Sequence, residues 1–289
     1  DKPEVPVIVV GNLNVGGTGK TPLTLYLANA LSKAGKKVGI ATRGYKGKKS
    51  NSMPYILDET SDAQDYGDEA VYLSRHSNAI VCVCSQRLKA ANLLFERGVD
   101  VILSDDGLQH FALKRDLELV VVSSDRAFGN RRLLPAGPLR EGLDRLDTID
   151  LICLNGKKID EDLHLENTIG FEIENKTAKN IHNGQIRSID AFKNHDVNLI
   201  AGIGDPNVLV QKLIKLGINI NHIKVADHGA IDSSEIKNLQ GTSLFLTPKD
   251  LVKYSRDDLP KETWELIPEM MIDQSQEQSM MNKIFEIIQ

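Results

Sequence analysis

Residues 14 to 22 read Asn-Val-Gly-Gly-Thr-Gly-Lys-Thr-Pro. Three glycines, a lysine and a threonine at this spacing suit the holding of a nucleoside polyphosphate. Glycines let several backbone N–H groups converge on phosphate oxygens with no Cβ in the way. In the pattern G-x-x-x-x-G-K-[ST], the lysine, here Lys20, reaches the β- and γ-phosphates, and the hydroxyl, here Thr21, ligates Mg²⁺. Asn14 stands where that pattern has its first Gly. Asn tolerates left-handed backbone angles, so it is expected to make the turn. The expected nucleotide-binding residues are Asn14, Val15, Gly16, Gly17, Thr18, Gly19, Lys20, Thr21 and Pro22. A glycine-rich turn without ligand is the plainer alternative.

Asp105-Asp106-Gly107-Leu108-Gln109-His110 follows an apolar run that ends at Ser104. Carboxylates at the C-terminal end of a parallel strand face the ligand crevice, and one there is the usual second support for Mg²⁺. Two adjacent carboxylates repel, and a metal ion relieves that repulsion. A polar turn is the alternative, and His110 alone reads as structural. Gly67-Asp68-Glu69-Ala70 opens a helix. Asp68 is either its N-cap or a carboxylate orienting an attacking hydroxyl, with Glu69 near the metal. Asp227-His228 by itself reads as a turn. It gains meaning if domain closure brings His228 to Asp68. The segment from Arg126 to Arg145 carries five arginines around Leu133-Leu134-Pro135-Ala136-Gly137-Pro138-Leu139. Arginine forks suit phosphate, and apolar neighbours suit a lipid or an interface. A solvated basic loop is the competing account.

These residues need a scaffold. With 289 residues, the chain is long enough for about two domains. Hydrophobic residues are 41% and charged residues 26%, an ordinary globular mix. The net charge of -5 does not favour nucleic acid as a partner. Strand patterns fit Val5 to Val10, Val38 to Thr42, Ala79 to Cys84, Val99 to Ser104, Leu117 to Ser123 and Ile149 to Leu154. Helical spacing fits Lys20 to Ala34, Glu69 to Arg75 and Gln86 to Arg97. This alternation predicts an α/β sheet with helices on both faces. Ile169 to Lys176 and Gln185 to Ile189, around the turn His182-Asn183-Gly184, read as a hairpin joining two domains. A smaller α/β unit follows, with strands at Val197 to Ala201, His222 to Ala226 and Ser243 to Leu246. Its helices are expected at Asn207 to Lys215 and Ser233 to Leu239. Cys82, Cys84 and Cys153 read as buried free thiols in a reducing compartment, because no CxxC or His-rich partner accompanies them; a metal or redox pair at Cys82 and Cys84 is the alternative. No apolar run approaches the ~20 residues that span a bilayer, and no signal peptide is visible.

Together the motifs resemble the tetraacyldisaccharide 4′-kinase (lipid A 4′-kinase) family across nearly the whole chain. The resembling stretches are VGNLNVGGTGKTP, TRGYKG (Thr42 to Gly47), GDEA, DDGLQH, LLPAGPLRE (Leu133 to Glu141), AGIGDP (Ala201 to Pro206), ADH (Ala226 to His228) and LTPKD (Leu246 to Asp250). DDGLQH together with GGTGKTP is specific; ADH alone is weak. The resemblance implies a P-loop NTPase-like α/β/α sandwich with a second, smaller α/β/α domain on a two-stranded β linker. The corresponding expectation is an ATP-binding domain at 1–166, a linker at 167–190 and a smaller domain with a C-terminal helix at 191–289. It further implies ATP-dependent phosphorylation of the 4′-hydroxyl of a tetraacyldisaccharide 1-phosphate, giving lipid IV-A in lipid A biosynthesis. By position, Lys20 grips the phosphates, and Asp68 acts as base, assisted by His228. Thr21, Glu69 and Asp105 hold Mg²⁺. Asp106, Gln109 and His110 complete the crevice, and Arg43 and Arg140 contact substrate or phosphate. The family's GDEP reads GDEA here, so the helix lacks its early Pro. Family members usually carry an N-terminal hydrophobic anchor helix, which is expected either to have been removed or to lie before residue 1. Residence at the cytoplasmic face of the inner membrane is therefore an implication of the resemblance, as are a membrane-surface contact near Leu133 to Leu139 and the absence of a protein partner.

Two other classes compete. A P-loop GTPase or metallochaperone selects guanine through N-K-x-D, and Asn155-Gly156-Lys157-Lys158 misses it. A partition-type ATPase switch usually begins its loop with Lys, where Asn14 stands.

Overall fold

The first strand, β1 (Val7–Gly11), is buried at every position. That is why it reads as a continuous β-branched run rather than an alternating one. The computed structural model describes residues 3–49, 53–156, 167–226, 228–239 and 241–288. After β1 come α1 (Lys20–Lys33), β2 (Val38–Thr42), β3 (Tyr55–Ile56), α2 (Ala63–Tyr66), α3 (Asp68–His76), β4 (Ile80–Val83), α4 (Arg87–Glu96), β5 (Val101–Asp105), β6 (Leu117–Ser123), β7 (Leu151–Asn155) and β8 (Thr168–Asn180).

The chain divides into two compact units. The first comprises Asp1–Ser61, Asp65–Ile173 and Met270–Gln289; the second comprises Asp62–Gln64 and Glu174–Glu269. In the first unit the strand order is β8-β7-β6-β1-β5-β2-β4-β3. All of these pairings are parallel except that of the short β3. β1 lies between β5 and β6, and the chain leaves it in one direction through β2 and returns on the other side through β6. Ligands of open α/β sheets bind where such a reversal occurs, beyond the carboxyl ends of the strands. The register Val10↔Asp105 puts the start of the glycine-rich loop beside the acidic pair. Leu23, Leu27 and Leu31 of α1 are buried, which fixes that helix on the sheet with its N-terminus at the crevice.

The second unit contains β9 (Ile186–Ser188), β10 (Asp196–Ile200), α5 (Pro206–Lys215), β11 (Asn219–Ile223), α6 (Ser233–Lys237), β12 (Ser243–Leu246), α7 (Pro248–Leu251) and most of β13 (Thr263–Ile272). Its parallel order is β11-β10-β12-β13. Phe192 packs edge-on to Phe245 and Trp264, with ring centroids 4.8 and 5.1 Å apart, the favoured aromatic geometry.

Three expectations change. The hairpin exists, pairing Thr177–Lys179 with Ile186–Ser188, but both its strands here lie in the second unit. The chain crosses within β8, after Ile173, and returns within β13, after Glu269. The second linking strand is thus β13, some way beyond the expected 167–190. The C-terminal helix, α8 (Gln274–Ile288), expected with the smaller unit, belongs to the first. Gln276 Oε1 accepts from Gly170 N at 2.7 Å, and the Tyr26 hydroxyl donates to Glu277. Last, β11 sits three residues earlier than the expected strand. The three cysteines are free and buried, as expected, and burial pushes the Cys82 and Cys153 thiols up to about 12.

Candidate active site

Gly19 is the N-cap of α1, at φ 101°, with no side chain capping the helix and no acidic residue in its first turn. Among the described residues, nothing accepts from the backbone N–H groups of residues 16–21. A helix N-terminus left open in this way, with its positive end exposed, is an anion site. A side chain at Gly19 would be excluded twice: φ is left-handed, and a Cβ would lie 2.8 Å from Asn155 Nδ2.

The loop is held from within. Asn12 Nδ2 donates to Thr18 Oγ1 at 3.2 Å and to the Gly16 carbonyl at 3.4 Å. Asn155 Nδ2 donates to the Thr18 carbonyl at 3.1 Å. Asn14 does not adopt the expected left-handed backbone; it is not among the described positive-φ residues. Its value lies in its side chain, which is buried and donates to the Ala127 carbonyl at 2.5 Å. Val15 N–Pro138 O (2.9 Å) and Arg140 N–Leu13 O (2.7 Å) add to this tie. The arginine-rich segment is therefore stitched to the phosphate loop, and the solvated-loop account fails for this part of it. Arg131, Arg132, Leu133 and Leu134 remain exposed, the two leucines at 52% and 53%.

Across from the loop, Asp105 is buried, and the Thr24 hydroxyl of α1 donates to its Oδ1 at 2.8 Å. Burial first, then the neighbouring Glu69 and Asp106 carboxylates, push Asp105 up to about 7. Asp106 differs. Burial opposes its ionisation, but Lys20, Arg140 and Arg87 outweigh that and hold it below the usual carboxylate range. Lys20 Nζ lies 3.5 Å and Arg140 Nη1 3.0 Å from Asp106 Oδ1. Gln109 Nε2 donates to Glu141 at 2.6 Å and to the Asn12 carbonyl at 3.2 Å, and Gln109 Oε1 accepts from Arg140 at 3.3 Å. His110 is pushed down to about 4 by burial and then by Arg87 and Arg43, so it is neutral at pH 7.

Asp68 is the first residue of α3, and Gly67 is its N-cap. The expected N-cap role is thus filled by a different residue. The Asp68 carboxylate is buried and accepts from Glu69 N at 2.8 Å. Gly67 has φ 88°, and a Cβ there would lie 2.6 Å from the Tyr45 carbonyl. The loop carrying Arg43 and the loop carrying Asp68 therefore pack backbone to backbone, which ties two separate motifs together. Arg43 itself is exposed. His228 lies in the second unit, at φ 60°; Asp227 falls outside the described residues.

The first unit thus brings together Lys20, Thr21, Asp105, Asp106, Gln109 and Arg140. Three contributors were not legible as such. Arg87 is buried at the start of α4 and donates to the Cys84 carbonyl at 2.9 Å and the Asp105 carbonyl at 3.0 Å. Thr24, one helical turn past Lys20, and Asn155, at the end of β7, were the others. Spacing along α1 could have suggested Thr24; nothing local marked Arg87 or Asn155.

The donor set fits a nucleotide with a hard divalent cation. The loop offers unpaired N–H groups, and Asp105 is repelled by the Glu69 and Asp106 carboxylates in a way that a cation relieves. Among the described residues, no group of three or more His, Cys, Asp or Glu side chains could hold a metal unaided. Mg²⁺ typically takes one or two carboxylates and completes its shell with phosphate oxygens and water.

Comparison with known proteins agrees with this geometry. The family model for LpxK, tetraacyldisaccharide-1-P 4′-kinase, matches residues 1–286. The tetraacyldisaccharide 4′-kinase of Aliivibrio salmonicida is 38% identical over 290 residues, covering 99% of this chain and 84% of that protein. That of Colwellia psychrerythraea is 42% identical over 269 residues, covering 91% and 77%. The crystal structure of LpxK from Aquifex aeolicus in complex with ATP superposes with a TM-score of 0.81 at 29% identity, over 100% of this chain and 90% of that one. With the open phosphate loop, the acidic strand end and a whole-length match all in agreement, the chain belongs to the tetraacyldisaccharide 4′-kinase family.

Proposed function

We propose that this protein transfers the γ-phosphoryl group of ATP to the 4′-hydroxyl of a tetraacyldisaccharide 1-phosphate, giving lipid IV-A. The observation that carries this reading is the row of unpaired N–H groups at the start of α1, the helix whose Lys20 and Thr24 reach Asp106 and Asp105. The acceptor oxygen bonds to the γ-phosphorus as the bond to the β–γ bridging oxygen breaks. ADP leaves, and the hydroxyl proton passes to Asp68. His228 assists that carboxylate. Lys20 and the loop amides balance charge on the transferring group. Thr21, Glu69 and Asp105 would hold Mg²⁺, which draws charge from the phosphate oxygens. Lys20 and then Arg140 keep Asp106 ionised, Arg140 holds it in place, and Arg43, Gln109 and neutral His110 line the acceptor side.

Asp68→Asn keeps the size and the acceptor for Glu69 N but removes the proton acceptor. The expected result is a fall in kcat of roughly 10²-fold with little change in ATP affinity, because a loose transition state asks more for position than for basicity. A variant with near-normal kcat would mean that Asp68 only shapes the start of α3.

A surface role accompanies the chemistry. Leu133 and Leu134 project beside Arg131 and Arg132, a pairing that suits an anionic lipid surface at the cytoplasmic face of the inner membrane. No helix among the described residues is long and apolar enough to cross a membrane. The Leu133→Ser/Leu134→Ser double variant should sediment several-fold less with anionic vesicles and keep its ATP affinity. Unchanged sedimentation would remove this loop from the contact.

A further inference from the structure

The second unit holds a buried ion pair that the proposed chemistry does not use. Thr247 caps the one-turn helix α7, and Pro248 occupies its first position. Asp250 on that turn is fully buried, and the side chain of Lys253 is 7% exposed. Asp250 Oδ1 accepts from Lys253 Nζ at 2.7 Å; its Oδ2 accepts from Thr247 Oγ1 at 2.6 Å and from Gly202 N at 2.9 Å. Lys253 Nζ donates a second bond, to the Gly229 carbonyl at 3.0 Å. The next residue acts on the same loop: the Tyr254 hydroxyl accepts from Ile231 N at 2.9 Å. Gly229 N closes back on the Ala226 carbonyl at 2.7 Å. The backbone just after His228 is thus pinned at Gly229 and at Ile231, and His228 itself is in a left-handed conformation at φ 60°.

Stability alone is a poor explanation for this pair. Replacing a buried ion pair with apolar residues of similar volume is often neutral or stabilising. What apolar residues cannot do is bond to the backbone of two loops at once. Asp250 reaches the loop that follows β10, and Lys253 reaches the loop that carries His228. Asp250 and Gly202 belong to two stretches singled out by sequence, LTPKD and AGIGDP, and Lys253 extends the bridge to Gly229, the residue that follows the third, ADH.

We infer that Lys253, oriented by Asp250, is a positioning residue that fixes the backbone under His228 and so sets that imidazole for phosphoryl transfer. This rests on the reading of His228 as the partner of Asp68. The test measures kcat, KM for ATP and melting temperature for Lys253→Met, for Asp250→Asn/Lys253→Met and for His228→Ala. Each Lys253 variant is also combined with His228→Ala. Lys253→Met alone leaves Asp250 buried and unpaired and can fail to fold; the paired variant removes both charges while Asn still accepts from Gly202 N. The expected result is a roughly ten- to hundredfold loss of kcat in folded protein, as for a misplaced catalytic group, with KM for ATP unchanged. In the His228→Ala background the same changes cost nothing further. Losses that multiply, a KM for ATP that rises in step, or a lower melting temperature with kcat intact would each overturn the inference while leaving the role of His228 standing. A wild-type kcat for His228→Ala would instead remove the histidine reading, and this inference with it.

Discussion

Lys20→Met should lower kcat/KM for phosphoryl transfer about 10³-fold while leaving the fold intact. The loss of one preorganised donor to a transition-state oxygen costs about 10²–10³-fold, and Lys20 adds a full charge at the mouth of a helix N-terminus. Its Nζ is 3.5 Å from Asp106 Oδ1, yet Asp106 keeps Arg140 at 3.0 Å. The carboxylate is therefore not orphaned, and the melting temperature without nucleotide should barely move. Lys20→Arg should not rescue, because a planar fork does not replace a compact ammonium among converging amides. Steady-state transfer from ATP to the lipid acceptor, read beside a thermal melt, checks both halves. Residual activity within tenfold of wild type would mean that the loop amides alone carry the charge.

Asp105→Asn should separate function from stability. In the nucleotide- and metal-free protein, Asp105 is raised from 3.8 to about 7, by burial and then by Glu69 and Asp106. A carboxyl whose folded pKa lies above its unfolded value binds its proton more tightly in the native state. Stability is therefore greatest below about pH 4, falls as pH rises toward 7, and carries the full penalty above that. A rise of this size corresponds to at most on the order of 4 kcal/mol. Asparagine removes the ionisation and still accepts from Thr24. The variant should melt above wild type at pH 8 in chelator, and the two should converge near pH 4. Its turnover should fall about 10²–10³-fold, since a support for the divalent cation is gone. Adding MgATP should reverse the order of melting temperatures, because ligand binding stabilises the wild type more. A wild type that melts higher at pH 8 in chelator would refute the argument.

The parallel sheet of the first unit was legible because buried strands carry unbroken β-branched runs and glycines mark the turns between them. The phosphate loop and the acidic strand end were legible because their chemistry needs particular residues at fixed spacing. Other features had no local signature. β13 contains Pro268, which counts against a strand, yet its pairing with β12 uses only Thr263–Glu265. β11 opens on Asn219-Ile220-Asn221, ahead of the strand expected from His222. It is held as a strand by Asn221 Nδ2 on Asn198 Oδ1 at 2.7 Å and Asn219 Nδ2 on Asp196 Oδ1 at 3.0 Å, partners supplied by β10. Arg87 looks like one more polar position on a surface helix; only the fold shows it buried against the ends of β4 and β5. Asn155 belongs to a failed guanine signature, and its actual partner is the Thr18 carbonyl, 137 residues earlier in the chain. Long-range partners of this kind are set by topology, which a local pattern does not encode.

The route of the chain through β8 and β13 makes Glu174–Glu269, nearly all of the second unit, an insertion in the first, and this sets an order of assembly during synthesis. Strands β1 to β7 and the start of β8 leave the ribosome before residue 174, but α8 emerges only after Glu174–Glu269 has been made. Tyr26 on α1 and Gly170 on β8 wait through that interval for Glu277 and Gln276. The nascent nucleotide-binding half is thus left with an uncovered flank that only the last turns of the polypeptide can close.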